Sequence, residues 1–548
     1  MRFLSVISMI PAAVSLLSLP VYASSVSGYS PTASSQAVLH MPSAADDSLM
    51  TRPSSRAGLG SASVTLRSFE TDAPVETVGR EVSEHSTASR LFARRHSLTE
   101  VEARFNWRQE SSAVLEPFGD AAMTGEFNVR SHVVLNDRSA AVAGADYYNG
   151  VKRNVRWNSV SDYELLAPYV MADSLGGDLR ISQYSFYGGY AMRRRRFNWG
   201  AGAGYRALHE YRQTDPRPRS VVSDFRLDLS AGCLFDRYRL NADVSLRLYR
   251  QFQEVSFMNE RGANTSELHF TGLGTHFGRF AGSGDYCATR YRGTGCDVAL
   301  SLMPLHSGGF YALGGYALFD VNRTLANQNK VPITRMLRHR GYASLAYRGG
   351  SASFGWGVFT DGSAEISDGR ENVIDNGLGN IYNVLCTMPM YRSLKAEADA
   401  GAVLTWRRSG GGDWSLLGRV EWLHWNSSYR YPSGFLSFDR LGGTLGAVGR
   451  WLIHGKWVVA VEFGIGGHGS VRGGLALPEG RCEAKVAAHY GSMYERLNDA
   501  LVLADAGFRV QRSIGSRTAA YLRTTCRHSF FLSGENRDAG LVAIGLCF

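Results

Sequence analysis

The sequence predicts an all-β protein: a transmembrane antiparallel β-barrel of about 18 strands (16 to 20), preceded by an N-terminal periplasmic tail. Three observations carry this. Apolar and polar residues alternate with a period of two along most of the 548 residues. The chain ends on a strand whose alternate positions are Val542, Ile544, Leu546 and Phe548. It opens with a secretory leader, and no later apolar run approaches the roughly 18 residues of a spanning helix. Composition agrees, with 20% charged residues, 11% aromatic residues, 61 glycines and a slightly negative mean hydropathy. A helical membrane protein is more apolar, whereas strands between lipid and lumen dilute their apolar residues with polar ones.

The leader spans residues 1–23. Arg2 supplies the positive start, Phe3 to Leu19 the apolar run, and Val21-Tyr22-Ala23 the small-residue cleavage site before Ser24. Residues 24–99 are rich in Ser and Thr and largely irregular, which places them in the periplasm as a loose tail or a small hatch. The barrel occupies 100–548. Its first stripe sets Val101, Ala103, Phe105 and Trp107 against Glu102, Arg104, Asn106 and Arg108.

The clearest hairpin follows the same rule. Phe225, Leu227, Leu229, Ala231 and Cys233 alternate with Asp224, Arg226, Asp228, Ser230 and Gly232. After a turn at Asp236-Arg237, Leu240, Ala242, Val244, Leu246 and Leu248 alternate with Arg239, Asn241, Asp243, Ser245 and Arg247. Charges confined to one parity must avoid lipid, where Arg or Lys costs about 2–4 kcal/mol at the midplane. Arg226, Asp228, Arg239, Asp243 and Arg247, with Arg419 and Glu421 on a later strand, are therefore candidate lumen residues. Tight turns are expected near 136–137, 193–196, 236–237, 307–309, 349–350, 409–413, 454–455 and 514–515, alternating with longer connections. That alternation of short periplasmic turns and long external loops puts both termini in the periplasm. Residues 482–490 break the count as a spanning strand, so they are expected to form an external loop hairpin.

The remaining features yield plain readings. Only five of the 59 basic residues are lysine. Inward arginines pairing with inward carboxylates account for them more simply than an anion-attracting lumen, although lipopolysaccharide phosphate at the outer rim is also an expected contact. The run Arg193 to Arg196 reads as a solvated turn, and no nucleic-acid partner is expected. Seven cysteines leave one unpaired, and Cys287 and Cys296 are close enough in sequence for a loop-closing disulfide. No C-x-x-C or His-rich spacing marks a metal site, and no cofactor is implied. Gly464 to Gly469 matches a dinucleotide string but lacks the helix that would receive a pyrophosphate. His209, Glu210 and His424 fall near an external rim without an assembled serine, so no catalytic residue is assigned and the chain is not read as an enzyme.

The long first loop carries a resemblance. Asn154-Val155-Arg156-Trp157-Asn158, Ser161 to Leu166, Pro168 to Asp173, Gly176-Gly177-Asp178 and Tyr187 to Ala191 resemble an uncharacterised outer-membrane β-barrel family of Bacteroidetes. The similarity extends from about Leu91 to Phe548 and implies fold and location, without an activity. Within the loop, Trp157, Tyr163, Leu166 and Tyr169 give the chain an apolar reason to fold over the pore mouth. Two functions follow. One is a channel or transporter for small solutes, conductive in the intact protein. The other is an accessory barrel with a plugged lumen, whose loops bind a surface or periplasmic protein partner.

Overall fold

The computed structural model describes residues 73–92, 97–258, 267–282, 284, 286–305, 308–377, 381–408, 411–515 and 517–548. The expected leader and the tail up to residue 72 lie outside the described residues. Eighteen long strands follow one another around a single sheet. They are β1 Leu98–Glu110, β2 Ala121–Asn136, β3 Ser139–Val155, β4 Gly177–Arg194, β5 Phe197–Arg212 and β6 Arg217–Leu234. Next come β7 Tyr238–Ser256, β8 Ala288–Pro304, β9 Gly309–Leu325, β10 Pro332–Gly350, β11 Phe354–Ile374 and β12 Val384–Arg408. The circuit ends with β13 Gly412–Tyr429, β14 Gly434–Ile453, β15 Trp457–Ala476, β16 Leu501–Ser513, β17 Ala519–Phe531 and β18 Asn536–Cys547.

Every neighbouring pair is antiparallel, and β1 also pairs with β18, Val101 opposite Leu546 and Phe105 opposite Val542. The sheet is thus closed. The tight turns fall at one end, and the long connections at the other include 156–176, 257–287 and 477–500. Strand number and six tight-turn positions agree with the sequence reading, because turn residues and a period of two are local signals; the turns expected at 307–309 and 409–413 include residues outside the described ones, between strands that end at Pro304 and Arg408.

Side-chain parity is also as the sequence requires. Leu229, Val244, Leu246 and Leu248 are exposed on the outer face, while Asp224, Ser230, Arg239 and Asp243 are buried inside. The outer face carries an aromatic belt next to the tight turns, built from Phe197, Trp199, Trp356, Trp406, Trp414 and Trp457. Toward the other end the same face turns ionic: Asp320 accepts from Arg335 at 2.6 Å, and His424 and His528 face Asp439 and Asp538 at 2.6 and 2.7 Å. From Trp414 to His424 is about 34 Å of strand, or about 26 Å of height at a tilt near 40°, the thickness of an outer-membrane apolar band.

One expectation is corrected. Residues 482–490 do not form a loop hairpin, since Ala484–Asn498 is an α-helix. Its alanines and long side chains favour a helix over an exposed hairpin. The bridge that the sequence left open between Cys287 and Cys296 is not formed: Cys287 is buried, Cys296 lies on the outer face of β8, and all seven thiols are free. Of the tail, residues 73–92 are described, and they hold two short helices inside the barrel, Pro74–Thr77 and Arg80–His85.

Parity can be tested directly. Leu229→Arg or Val244→Arg should reduce the yield of assembled barrel, measured as the heat-modifiable band on gels, by a penalty of about 2–4 kcal/mol. Ser245→Arg, on the inner face, should assemble. Equal assembly of all three would refute the register.

Candidate functional site

Two bodies occupy the lumen. At the tight-turn end lies the segment Ala73–Phe92, the plug. Pro74 begins its first helix, Gly79 at φ 79° turns the chain, and Val75, Val78 and Val82 form one stripe. That stripe packs against Ala299, Met303, Tyr311, Leu313, Tyr342, Ala346 and Val403 of the inner wall. Polar contacts pin both ends. Glu76 pairs with Arg348 at 3.0 Å and Arg407 at 2.9 Å, the Ala88 amide donates to Ser230 Oγ at 2.7 Å, and His132 Nε2 meets the Arg90 carbonyl at 2.9 Å. Val78 lies against β11 and Arg90 against β2, nine strands apart in a ring of eighteen, so the plug spans the lumen. Two wall glycines allow the approach: a Cβ on Gly200 would lie 2.6 Å from the Ala88 nitrogen, and one on Gly357 would lie 2.9 Å from Val78.

At the long-loop end is a cap. Trp157, Leu166 and Tyr169 of loop 156–176 are all buried, joined by Leu268, Phe270 and Val486 from two other long connections. Met171–Ala172 pairs with Leu268–Gly272 as a small sheet, and Trp157 stacks on His489 of the 484–498 helix at 5.1 Å. Tyr163 stands edge-on to Phe118 at 5.6 Å. The cap is a folded core, not a loose loop. It is latched to the wall by Asp162, which accepts both terminal nitrogens of Arg206 at 3.0 and 2.6 Å and the Tyr249 hydroxyl at 2.9 Å. Burial alone would raise the Asp162 carboxyl, but the Arg206 guanidinium holds it below the usual carboxylate range. Arg206 continues to Asp224, and Asp224 to Arg247.

Between plug and cap lies a chamber of about 1090 Å³. Its roof is apolar and aromatic, with Tyr163, Phe270, Tyr391, Trp425 and Tyr490, and its floor is ionic, with Glu81 of the plug beside Arg340, Asp361, Glu397 and Arg419. Burial, then Asp361 and Asp399, push the Glu81 carboxyl up to about 7, against the pull of Arg419 and Arg340.

The lumen residues named from sequence all face inward but are not gathered into one site. Arg247 and Arg419 line the chamber, and Glu421 faces a recess beside it. Arg419 pairs with Asp399 at 2.8 Å and Glu421 at 3.3 Å. Arg226 pairs with Asp228 at 2.5 Å, Arg239 stacks 3.7 Å from the ring of Phe92 of the plug, and Asp243 is buried. Of the four cap residues, only Tyr163 reaches the chamber. His209 and Glu210 lie on opposite faces of β5, His209 against Tyr211 and Glu210 paired with Lys152 at 2.8 Å. Sequence reasoning missed Glu76 and Glu81, although Pro74 with valines at 75, 78 and 82 is a helical signal. It also missed the Asp162–Arg206 latch, which no local pattern reveals.

Arg206→Ala would leave buried Asp162 without its cation, while Asp224 keeps Arg247, at a cost of about 3–5 kcal/mol. The expected outcome is a cap cut by protease within 156–176 while the barrel persists; an uncut cap would refute the latch. Glu81 makes plug docking pH-dependent. Its bound-state value lies above the unfolded one, so the contribution is complete below about 4.5 and lost as pH rises through about 7. Labelling of a cysteine placed at Ala88 should therefore quicken between pH 5 and 8, and Glu81→Gln should flatten that rise.

Among curated proteins, none matches the sequence. The chain is distantly similar to solved structures. The alcaligin outer membrane receptor FauA of Bordetella pertussis is 9% identical with TM-score 0.32, covering 82% of this chain and 76% of that one. The siderophore receptor PiuA of Acinetobacter baumannii is 5% identical with TM-score 0.40, at 83% and 82% coverage. The CymD monoaromatic hydrocarbon channel is 11% identical with TM-score 0.29, at 86% and 92%. The sequence match runs from residue 88 in the plug to the terminal Phe548, and the chain belongs to the Family of unknown function (DUF6850).

Proposed function

We propose that this chain is an outer-membrane barrel of a Gram-negative bacterium that passes small solutes through a gated lumen, with the tight turns and both termini on the periplasmic side. The observation that carries the reading is the chamber held between cap and plug. Its volume suits a molecule of a few hundred daltons. The roof offers stacking surfaces and the floor offers both signs of charge, so a solute with an apolar body and a polar head finds complementary walls. A plug across one end and a packed cap at the other narrow the lumen, and the intact protein is accordingly read as a resting, non-conducting state, where the sequence reading expected an open pore. The belt of aromatic residues and the ionic rim support the membrane placement. A second reading, a plugged accessory barrel that binds a partner, is favoured by the packing of the cap, whose core residues are as buried as those of a soluble domain.

Planar-bilayer conductance separates the two. The full chain should pass little current, removal of residues 73–92 should raise it, and further removal of 157–175 should raise it again. Two well-folded deletion variants that stay silent would sink the transport reading and leave the scaffold.

A further inference from the structure

Around the chamber, arginine is answered by carboxylate. Arg247 meets Asp224 at 2.8 Å, Arg338 meets Glu365 at 3.2 Å and Arg419 meets Asp399 at 2.8 Å. Arg440 of β14 lines the same chamber and the recess beside it, partly buried, and is not answered. Among the described residues it makes no ion pair within 4.0 Å and no side-chain hydrogen bond. The carboxylates that act on it from farther off are Glu421 and Glu397, and these already hold Arg419 at 3.3 Å and Lys395 at 2.7 Å. Arg537, the other charge that bears on it, has the same sign. A guanidinium cannot shed its proton to escape such a place, so the charge stays and an anion that meets it recovers the cost of its desolvation.

The wall above the arginine is apolar. Leu423 stands directly opposite Arg440 across the β13–β14 pair. Two residues nearer the long-loop end Trp425 stands opposite Phe438, their rings edge to face at 5.5 Å. The Trp425 indole N–H is spent on Ser393 Oγ at 3.1 Å, which fixes the ring and leaves its apolar surface for the chamber. Two residues of strand are about 7 Å, the span of a small aromatic body. Glu81 and Asp361 are not among the chief charges on Arg440 and form a separate acidic corner of the floor.

We propose that Arg440 is the head-group site of the chamber and that the solute it takes is an amphipathic organic monoanion, a carboxylate on an apolar body. The planar guanidinium donates two parallel N–H bonds to a carboxylate, while the body lies along Leu423 and Trp425. One unanswered arginine suits one negative charge, since a second would stand unmatched beside Glu397 and Glu421. The inference rests on the reading of the chamber as a solute site and adds to it the charge of the solute and the residue that selects it.

The test is equilibrium dialysis of the full chain in detergent against naphthoate, naphthylmethanol and naphthylmethylammonium, one body with three heads. Naphthoate should bind at least about tenfold more tightly than the alcohol. Arg440→Gln should bring naphthoate down to the affinity of the alcohol and leave the alcohol unchanged, with assembly checked by the heat-modifiable band. If that variant fails to assemble, the head-group series on the unaltered chain decides. Equal binding of the three, or naphthoate binding that survives Arg440→Gln in an assembled barrel, would overturn the assignment and leave the chamber a solute site. A preference for the ammonium, lost in Asp361→Asn, would move the site to the acidic corner and overturn it as well. Failure of all three to bind would sink the assignment together with the chamber's role as a solute site.

Discussion

The pairing of β1 with β18 is the contact on which the rest depends. A sheet whose edges were left open in an apolar band would strand a row of backbone groups at several kcal/mol each, so the only tolerable end for the last strand is the first. Phe105 opposite Val542 and Val101 opposite Leu546 fix the register of that seam. Parity follows from register, because a slip of one residue would turn every inward arginine toward lipid. The ionic lumen is a consequence of closure, not an independent design.

Inside the ring, charge is paired strand to strand. Arg104 meets Glu126, Arg450 meets Asp413 and Arg527 meets Asp505, in each case across adjacent strands. These pairs are partly or wholly shielded from water, so they hold neighbouring strands in one arrangement more than they add stability. The chamber floor departs from the pattern. Glu81 has two carboxylates nearby and is brought there by the plug, from outside the sheet.

Strands, turns and faces were legible because each is encoded within a few residues. Val101 to Arg108 or Phe225 to Cys233 state their orientation by alternation alone. The 484–498 helix was misread because Cys482 to Tyr490 also alternates weakly and the preference for a strand was carried over from its neighbours. The cap was half legible. Trp157, Leu166 and Tyr169 gave it a motive to leave water, but its latch joins Asp162 to Arg206, 44 residues apart, and such a pairing exists only once three strands have been placed. The chamber has no sequence signature at all, being the volume left between two bodies.

The short covalent link between plug and wall limits how the lumen can clear. Four residues, 93 to 96, separate Phe92 and the last residue before β1, Ser97, so the chain reach from plug to barrel is at most about 18 Å. A rigid plug on so short a leash cannot swing free of a barrel that it spans from β2 to β11. Its helices hold four and six residues, too few to persist without the wall. On the transport reading proposed above, clearing the passage would therefore require the segment to unravel from Gly357 and Gly200, since it cannot swing aside as a rigid body.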